Sequence, residues 1–237
     1  MDRSMSPTDG TASRATARAV TVDEILAQAV VIADAEGLHS LTIRRLATET
    51  NLGTMTLYNY FSNKNDLLQN MADYVLSRFQ APSDEETDVK EYIRLLTQGW
   101  HSMMIEHPTI VQLILQQVTT RPAARLASFE RPLAGLCALG LTGEQAVRVF
   151  GFTVTYALGF SAYQLPRPWG FEADVVPDTE EQRRQQSLLV QSLPIPDYPT
   201  MVKNADAIVS LPTKEQFEWG LEMFLSGFDE WLAKGAS

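Results

Sequence analysis

The most restrictive feature of the 237-residue sequence is a set of helix-starting signals spaced too closely for anything but short helices. Thr21-Val22-Asp23-Glu24 fits a capping box, in which the threonine hydroxyl and the glutamate carboxylate satisfy free N–H groups at a helix start. Ile25, Ala29, Ile32 and Ala33 follow at helical spacing, and Gly37 suits the left-handed turn that ends such a helix. Thr42 opens a second helix over Ile43 to Glu49, and a third runs from about Thr54 to Tyr60. Asn63 with Asp66 begins a fourth, which carries Leu67, Leu68, Met71 and Val75 inward. Only Thr50-Asn51-Leu52-Gly53 separates the second helix from the third, which is the geometry of a helix-turn-helix.

Residues 81–88, with Pro82, Ser83 and a run of acids but no apolar anchor, mark a boundary. They divide the chain into an N-terminal arm over 1–20, a helix-turn-helix domain over 21–80 and a larger domain over 81–237. The arm is rich in Ser, Thr, Ala and Asp, lacks the apolar stretch of a signal peptide, and reads as disordered. Beyond the boundary, helix starts are predicted at Thr87, Pro108, Pro122, Thr142-x-x-Gln145 and Thr213-x-x-Gln216. Prolines at 166, 168, 177, 194, 196 and 199 predict a long, partly ordered excursion over the surface. No β-alternation or internal repeat interrupts this pattern, so the expected fold is all-α.

Composition removes several classes of function. A net charge of -10 argues against a generally basic coat for nucleic acid, although it leaves room for one local reading surface. Residues 1–80 hold 7 basic and 9 acidic groups and residues 81–237 hold 12 and 20, so most of the acid lies away from the helix-turn-helix. A lone Cys137 cannot form an internal disulfide, and no apolar stretch is long enough to span a membrane; a cytoplasmic location is expected. His39, His101 and His107 are too scattered for a metal site. Gly159-Phe160-Ser161-Ala162-Tyr163 lacks the last glycine of a nucleophile elbow and has no strand before it. Catalytic residues, a metal and a cofactor are therefore not expected.

The helix-turn-helix carries the recognisable chemistry. Leu41, Leu46, Ala47, Leu52, Leu57 and Phe61 are placed to fix the angle between its two helices. That leaves Thr54, Met55, Thr56, Tyr58, Asn59 and Tyr60 outside on the second. Their hydroxyls and amide can bond phosphates or base edges, and the thioether can touch a thymine methyl. Arg44 on the bracing helix is within reach of a guanine or a phosphate, and Lys64 stands at a helix start that favours phosphate. Thr42 and Gly53, which open the two helices, complete the candidate set. A helix-turn-helix that docks protein rather than DNA remains an alternative reading.

Leu41-Thr42-Ile43-Arg44-Arg45-Leu46-Ala47, Thr56-Leu57-Tyr58-Asn59-Tyr60-Phe61 and Asn63-Lys64 before Leu67-Leu68 resemble the TetR family of bacterial repressors, ungapped from about Thr21 to Phe79. The resemblance implies that the third helix reads operator DNA, that the protein is a dimer, and that a helical ligand-binding domain lies behind. It also assigns DNA contacts to Arg44, Thr54, Met55, Thr56, Tyr58, Asn59, Tyr60 and Lys64. Asn51 stands at the family's turn glycine and tolerates the left-handed conformation, while Ser62 replaces a common basic residue. Thr120-Arg121-Pro122, Leu158-Gly159 and Phe217-x-Trp219-Gly220-Leu221 are similar to the tetracycline-repressor branch. Gln117 and Tyr163 stand where that branch has metal ligands, so a magnesium–tetracycline inducer is not expected.

In the C-terminal half, the helix over 142–164 pairs an aromatic stripe (Phe152, Tyr156, Phe160, Tyr163) with a small-residue stripe (Gly151, Thr155, Gly159). The helix over 213–233 shows Phe217, Leu221, Phe224, Leu225, Phe228, Trp231 and Leu232 at helical spacing. These two helices are expected to meet their copies in a four-helix homodimer interface. Trp100, His101, Met104, Leu113, Gln116, Gln117, Phe129, Phe152, Tyr156, Tyr163 and Trp169 are the candidates for an apolar effector pocket, with His101 and Gln116 as orienting groups. The expected protein is a repressor that binds double-stranded operator DNA and is released by a small hydrophobic or aromatic effector; a protein-interaction module or an activator is the alternative.

Overall fold

The computed structural model describes residues 20–85, 87–116, 122–164 and 180–235. The expectations placed on residues 1–19, Gln117, Thr120, Arg121, Trp169 and Pro166, Pro168 and Pro177 lie outside these residues. Among the described residues all regular structure is helical. The elements are α1 Val22–Glu36, α2 Ile43–Glu49, α3 Thr54–Tyr60, α4 Lys64–Leu76, α5 Val89–Glu106, α6 Pro108–Leu115, α7 Pro122–Ala138, α8 Gly143–Gln164, α9 Glu180–Gln191, α10 Pro199–Lys203, α11 Ala205–Ser210 and α12 Lys214–Gly235.

The start signals act as the sequence predicts. Thr21 Oγ1 accepts from Glu24 N while Glu24 accepts from Thr21 N at 2.8 Å, closing the capping box of α1. Thr142 and Gln145 cap each other before α8, and Thr213 Oγ1 accepts from Gln216 N at 3.1 Å before α12. Two calls shift. The cap of α5 is Asp88 rather than Thr87, because its carboxylate reaches both Lys90 N and Glu91 N. Gly37 ends α1 at φ 85° and ψ 158°, so the exit is a glycine-only extended turn, not the left-handed helical one. Asn51 adopts φ 53° and preserves the turn between α2 and α3 without glycine.

Helices α1–α4 form a head around Ile25, Ala29, Leu41, Leu46, Leu57, Phe61, Leu67 and Met71. The body is organised by α5, which runs beside α8 for most of its length and beside α12 in the opposite direction. Successive polar pairs fix the α5–α12 register: Lys90 with Asp229 at 2.6 Å, Arg94 with Glu222 at 2.8 Å, and Gln98 with Glu218 at 2.9 Å. The Arg94 guanidinium holds the Glu222 carboxyl below the usual carboxylate range. The described part of the proline-rich excursion holds α9, which packs on α10 and α11 just after it, with Ser187 donating to Asp206.

Helix α7 approaches α5 closely at Gly135, where an added Cβ would lie 2.3 Å from the Tyr92 hydroxyl oxygen. Tyr92 is buried, and burial raises its phenol pKa. Gly135→Ala is therefore expected to destabilise the fold by about 1–3 kcal/mol despite its gain in helix propensity. A denaturant melt checks this, and an unchanged midpoint would mean that α7 shifts freely on α5.

Candidate functional site

The reading face is set by how few of its residues the head requires. In α3 the single buried side chain is Leu57, which seats the helix on the core. Met55 is 75% exposed, and Thr54, Tyr58, Asn59 and Tyr60 also face solvent, with Thr56 half-buried beside Gly53. A helix of seven residues anchored by one leucine thus presents two hydroxyls, an amide, a thioether and two phenols on one surface. This surface suits the major groove, about 12 Å wide, whose edges offer both donors and acceptors.

Two adjacent arginines in α2 divide their roles. Arg45 pairs with Glu36 and with Glu49, each at 3.1 Å, and so ties α2 to α1. Arg44 is exposed and makes no ion pair with a described residue, leaving its guanidinium available to an anion. Thr42 Oγ1 is committed to capping, accepting from Arg45 N at 3.0 Å. Lys64 is exposed at the first position of α4, with Nζ 3.4 Å from the Leu38 carbonyl oxygen. The start of α4 is less open than the sequence predicts. Asn63 Oδ1 already accepts from Asp66 N, and the Ser62 N–H donates to Asp66 Oδ2 at 2.9 Å. Lys64 therefore offers phosphate its ammonium charge more than a bare helix end.

The proposed pocket residues fall into separate groups. Phe79 stacks on Trp100 with ring centroids 3.8 Å apart, Phe150 meets Trp100 edge-on, and Phe129 meets Phe150. The second group lies between α5, α8 and α12. There His101 stacks on Phe217 at 4.0 Å, Phe152 stacks on Phe224 at 3.7 Å, and the Tyr156 hydroxyl donates to the Phe217 carbonyl oxygen at 2.8 Å. His101 Nε2 also meets Gln164 Oε1 at 3.0 Å. In this part of the body, Trp100 Nε1 and Ser161 Oγ are buried without a hydrogen-bond partner among the described residues.

Not every candidate joins these groups. Met104 is plain core, and Leu113 belongs to the seam between head and body, beside Val30, Met71 and His107. Gln116 is exposed at the end of α6, and Tyr163 is 53% exposed on α8. Phe217, Gln164 and Ser161 were not among the candidates. Nothing local in the sequence links His101 to a ring 116 positions later, and only the α5–α12 register brings them together.

Helices α8 and α12 use the faces that the sequence assigned to a partner differently from expectation. Phe217, Leu221, Leu225 and Phe228 are buried within the chain, so much of the apolar face of α12 is used internally, with Phe224, Trp231 and Leu232 only partly buried. The most exposed apolar side chains of α12 are Trp219, 65% exposed, and Met223, 59% exposed. On α8 the aromatic stripe turns inward except at Tyr163, while Val147, Thr155 and Gly159 face solvent. A Cβ added at Gly151, Gly159 or Gly227 would meet nothing within 4 Å. An open groove of about 370 Å³ between the two helices is lined by Val149, Phe224, Phe228 and Trp231, with Arg148 at its edge.

Comparison with known proteins covers nearly the whole described chain. Residues 18–71 match the family model described as bacterial regulatory proteins, tetR family, and residues 81–232 match that of the tetracyclin repressor-like C-terminal domain. The HTH-type transcriptional repressor DrrR1 of Streptomyces coeruleorubidus is 29% identical over 227 residues, spanning 94% of this chain and 82% of its own length. The class E tetracycline repressor protein of Escherichia coli is 24% identical over 143 residues, 59% of this chain and 66% of its own. The Streptomyces coelicolor TetR family protein ActR, solved in complex with actinorhodin, superposes with a TM-score of 0.64 at 29% identity. That match covers 88% of this chain and 96% of ActR.

Proposed function

Because the chain belongs to the tetR family of bacterial regulatory proteins, we propose that it works as a homodimeric repressor, released from its operator by a hydrophobic or aromatic small molecule. It is a DNA-binding transcriptional regulator, acting in the cytoplasm where bacterial operators lie. The observation that carries the reading is α3, with one buried leucine and an otherwise exposed face of base-reading groups flanked by the free charges of Arg44 and Lys64. Each α3 reads one half of a near-palindromic operator, the arrangement that a two-fold dimer imposes. The dimer forms through α8 and α12, on the surface of Val147, Gly151, Thr155, Gly159, Trp219 and Met223.

The effector enters the body among the aromatic rings of α5, α8 and α12. His101 and Gln164 provide polar atoms at one end of that group, and Trp100 and Ser161 hold buried hydrogen-bonding atoms free for a ligand. Burying an unpartnered N–H or hydroxyl costs roughly 1–3 kcal/mol, and a ligand acceptor recovers it. By linkage, effector and operator weaken each other's binding by the same factor.

The test adds compounds to a preformed complex of protein and operator, beginning with actinorhodin because ActR binds it. Release of DNA in proportion to compound concentration is the expected result for at least one hydrophobic aromatic compound. If every compound that binds the protein leaves the operator occupied, the release mechanism is wrong, although DNA binding itself stands.

A further inference from the structure

Asp34 sits in the last turn of α1, a poor place for an acid. The C-terminal end of a helix carries partial negative charge, and aspartate ranks low in helix propensity. Its partners explain it. Asp34 Oδ1 accepts from the backbone N–H of Thr109 at 3.0 Å, and Asp34 Oδ2 accepts from His107 Nδ1 at 2.8 Å. Both partners belong to the start of α6, in the body. That helix has no side-chain cap of its own: His107 occupies the cap position without capping, and Pro108 has no N–H to offer. Asp34 supplies the missing cap from another helix, setting a carboxylate against the positive end of α6.

The tie is largely buried. The Asp34 side chain is 16% exposed and Thr109 is buried, the seam around them includes Val30, Met71, Val75 and Leu113, and the His107 ring lies at its edge, 31% exposed. The tie joins the α1 side of the head to the helix that follows directly from α5.

We propose that Asp34 is a positioning residue for DNA recognition: by capping α6 from α1 it fixes the angle of the reading head on the body, and with it the distance between the two α3 helices of a dimer. This rests on the reading of the protein as a dimeric operator-binding regulator. A fixed head angle means that the dimer accepts one half-site spacing and rejects its neighbours, since each inserted base pair moves a half-site by about 3.4 Å and turns it about the duplex.

The experiment uses the full chain and an operator selected from a pool of random duplexes, alongside the same operator with one base pair inserted at its centre. The wild type is expected to bind the altered operator at least ~30-fold more weakly, about 2 kcal/mol. In Asp34→Ala that ratio should fall below about 5-fold, while Asp34→Asn, which keeps an acceptor for Thr109 N–H, should stay near the wild type. Equal weakening on both operators, with the ratio preserved, would overturn the proposal, because general destabilisation acts in that way. Should Asp34→Ala not fold, His107→Phe keeps the ring volume and removes one of the two bonds; its ratio must fall part way, and an unchanged ratio counts against the proposal. If no operator is selected, the reading of function fails. The cap is then decided by hydrogen exchange of the Thr109 amide, which Asp34→Asn should leave protected and His107→Phe largely so; rapid exchange in the wild type would refute it.

Discussion

Trp219→Glu combined with Met223→Glu is expected to convert the protein into a folded monomer that has lost its hold on operator DNA. Both side chains are mostly exposed in the single chain, so their replacement removes nothing from its core. In the proposed dimer each would be buried, where a large apolar side chain contributes roughly 1.5–3 kcal/mol and an unpaired carboxylate is costly. Two-fold symmetry applies every change twice. A rise in the dimer dissociation constant of at least ~100-fold follows, about 2.7 kcal/mol, with the melting transition of the monomer retained. Sedimentation across a concentration series measures it. A variant that stays dimeric would move the interface off α12.

Neighbouring positions on α3 should give opposite results. Leu57 is fully buried and is the sole anchor of the helix, so Leu57→Ala is expected to cost about 2–5 kcal/mol and to abolish DNA binding by unfolding the head. Tyr58 is half-exposed and packs little, so Tyr58→Ala should leave stability within about 0.5 kcal/mol of the wild type. Operator affinity should nonetheless drop about 10-fold, the effect of losing one base or phosphate contact. Thermal melts and a binding titration separate the two. Equal effects on stability and binding at both positions would mean that α3 is a packing element and not a reading helix.

The contrast between 57 and 58 also marks what the sequence makes legible. Most of the local rules hold: the Thr21–Glu24 box, the Asn63 cap and the left-handed Asn51 each depend on residues within one turn, while the start of α5 moves by one residue to Asp88 and Gly37 leaves α1 by an extended turn. Exposure along α3 follows from helical spacing, so its outward residues were identifiable from the sequence.

The body was less legible because its contacts are distant in sequence. Phe217 reads as one more apolar position on the last helix, yet it stacks on His101 and accepts the hydroxyl of Tyr156. Periodicity identifies an apolar face but not the neighbour that covers it. For that reason much of the apolar face of α12 packs on α5 and α8 within the chain, while Trp219 and Met223 are left outside. Asp34 shows the same limit: its place in α1 is unfavourable by every local rule, and only a helix starting more than seventy residues later explains it.

The central claim, that this chain reads operator DNA as a dimer, is tested most directly by one titration. Purified protein is bound to an operator selected from random duplexes, over a salt series, with unselected DNA as control. Selective binding by two chains per operator is expected, with affinity falling steeply and log-linearly as salt rises, since phosphate contacts release counterions. Binding that is unselective, or selective binding that is insensitive to salt, would contradict it and favour a helix-turn-helix that docks on protein.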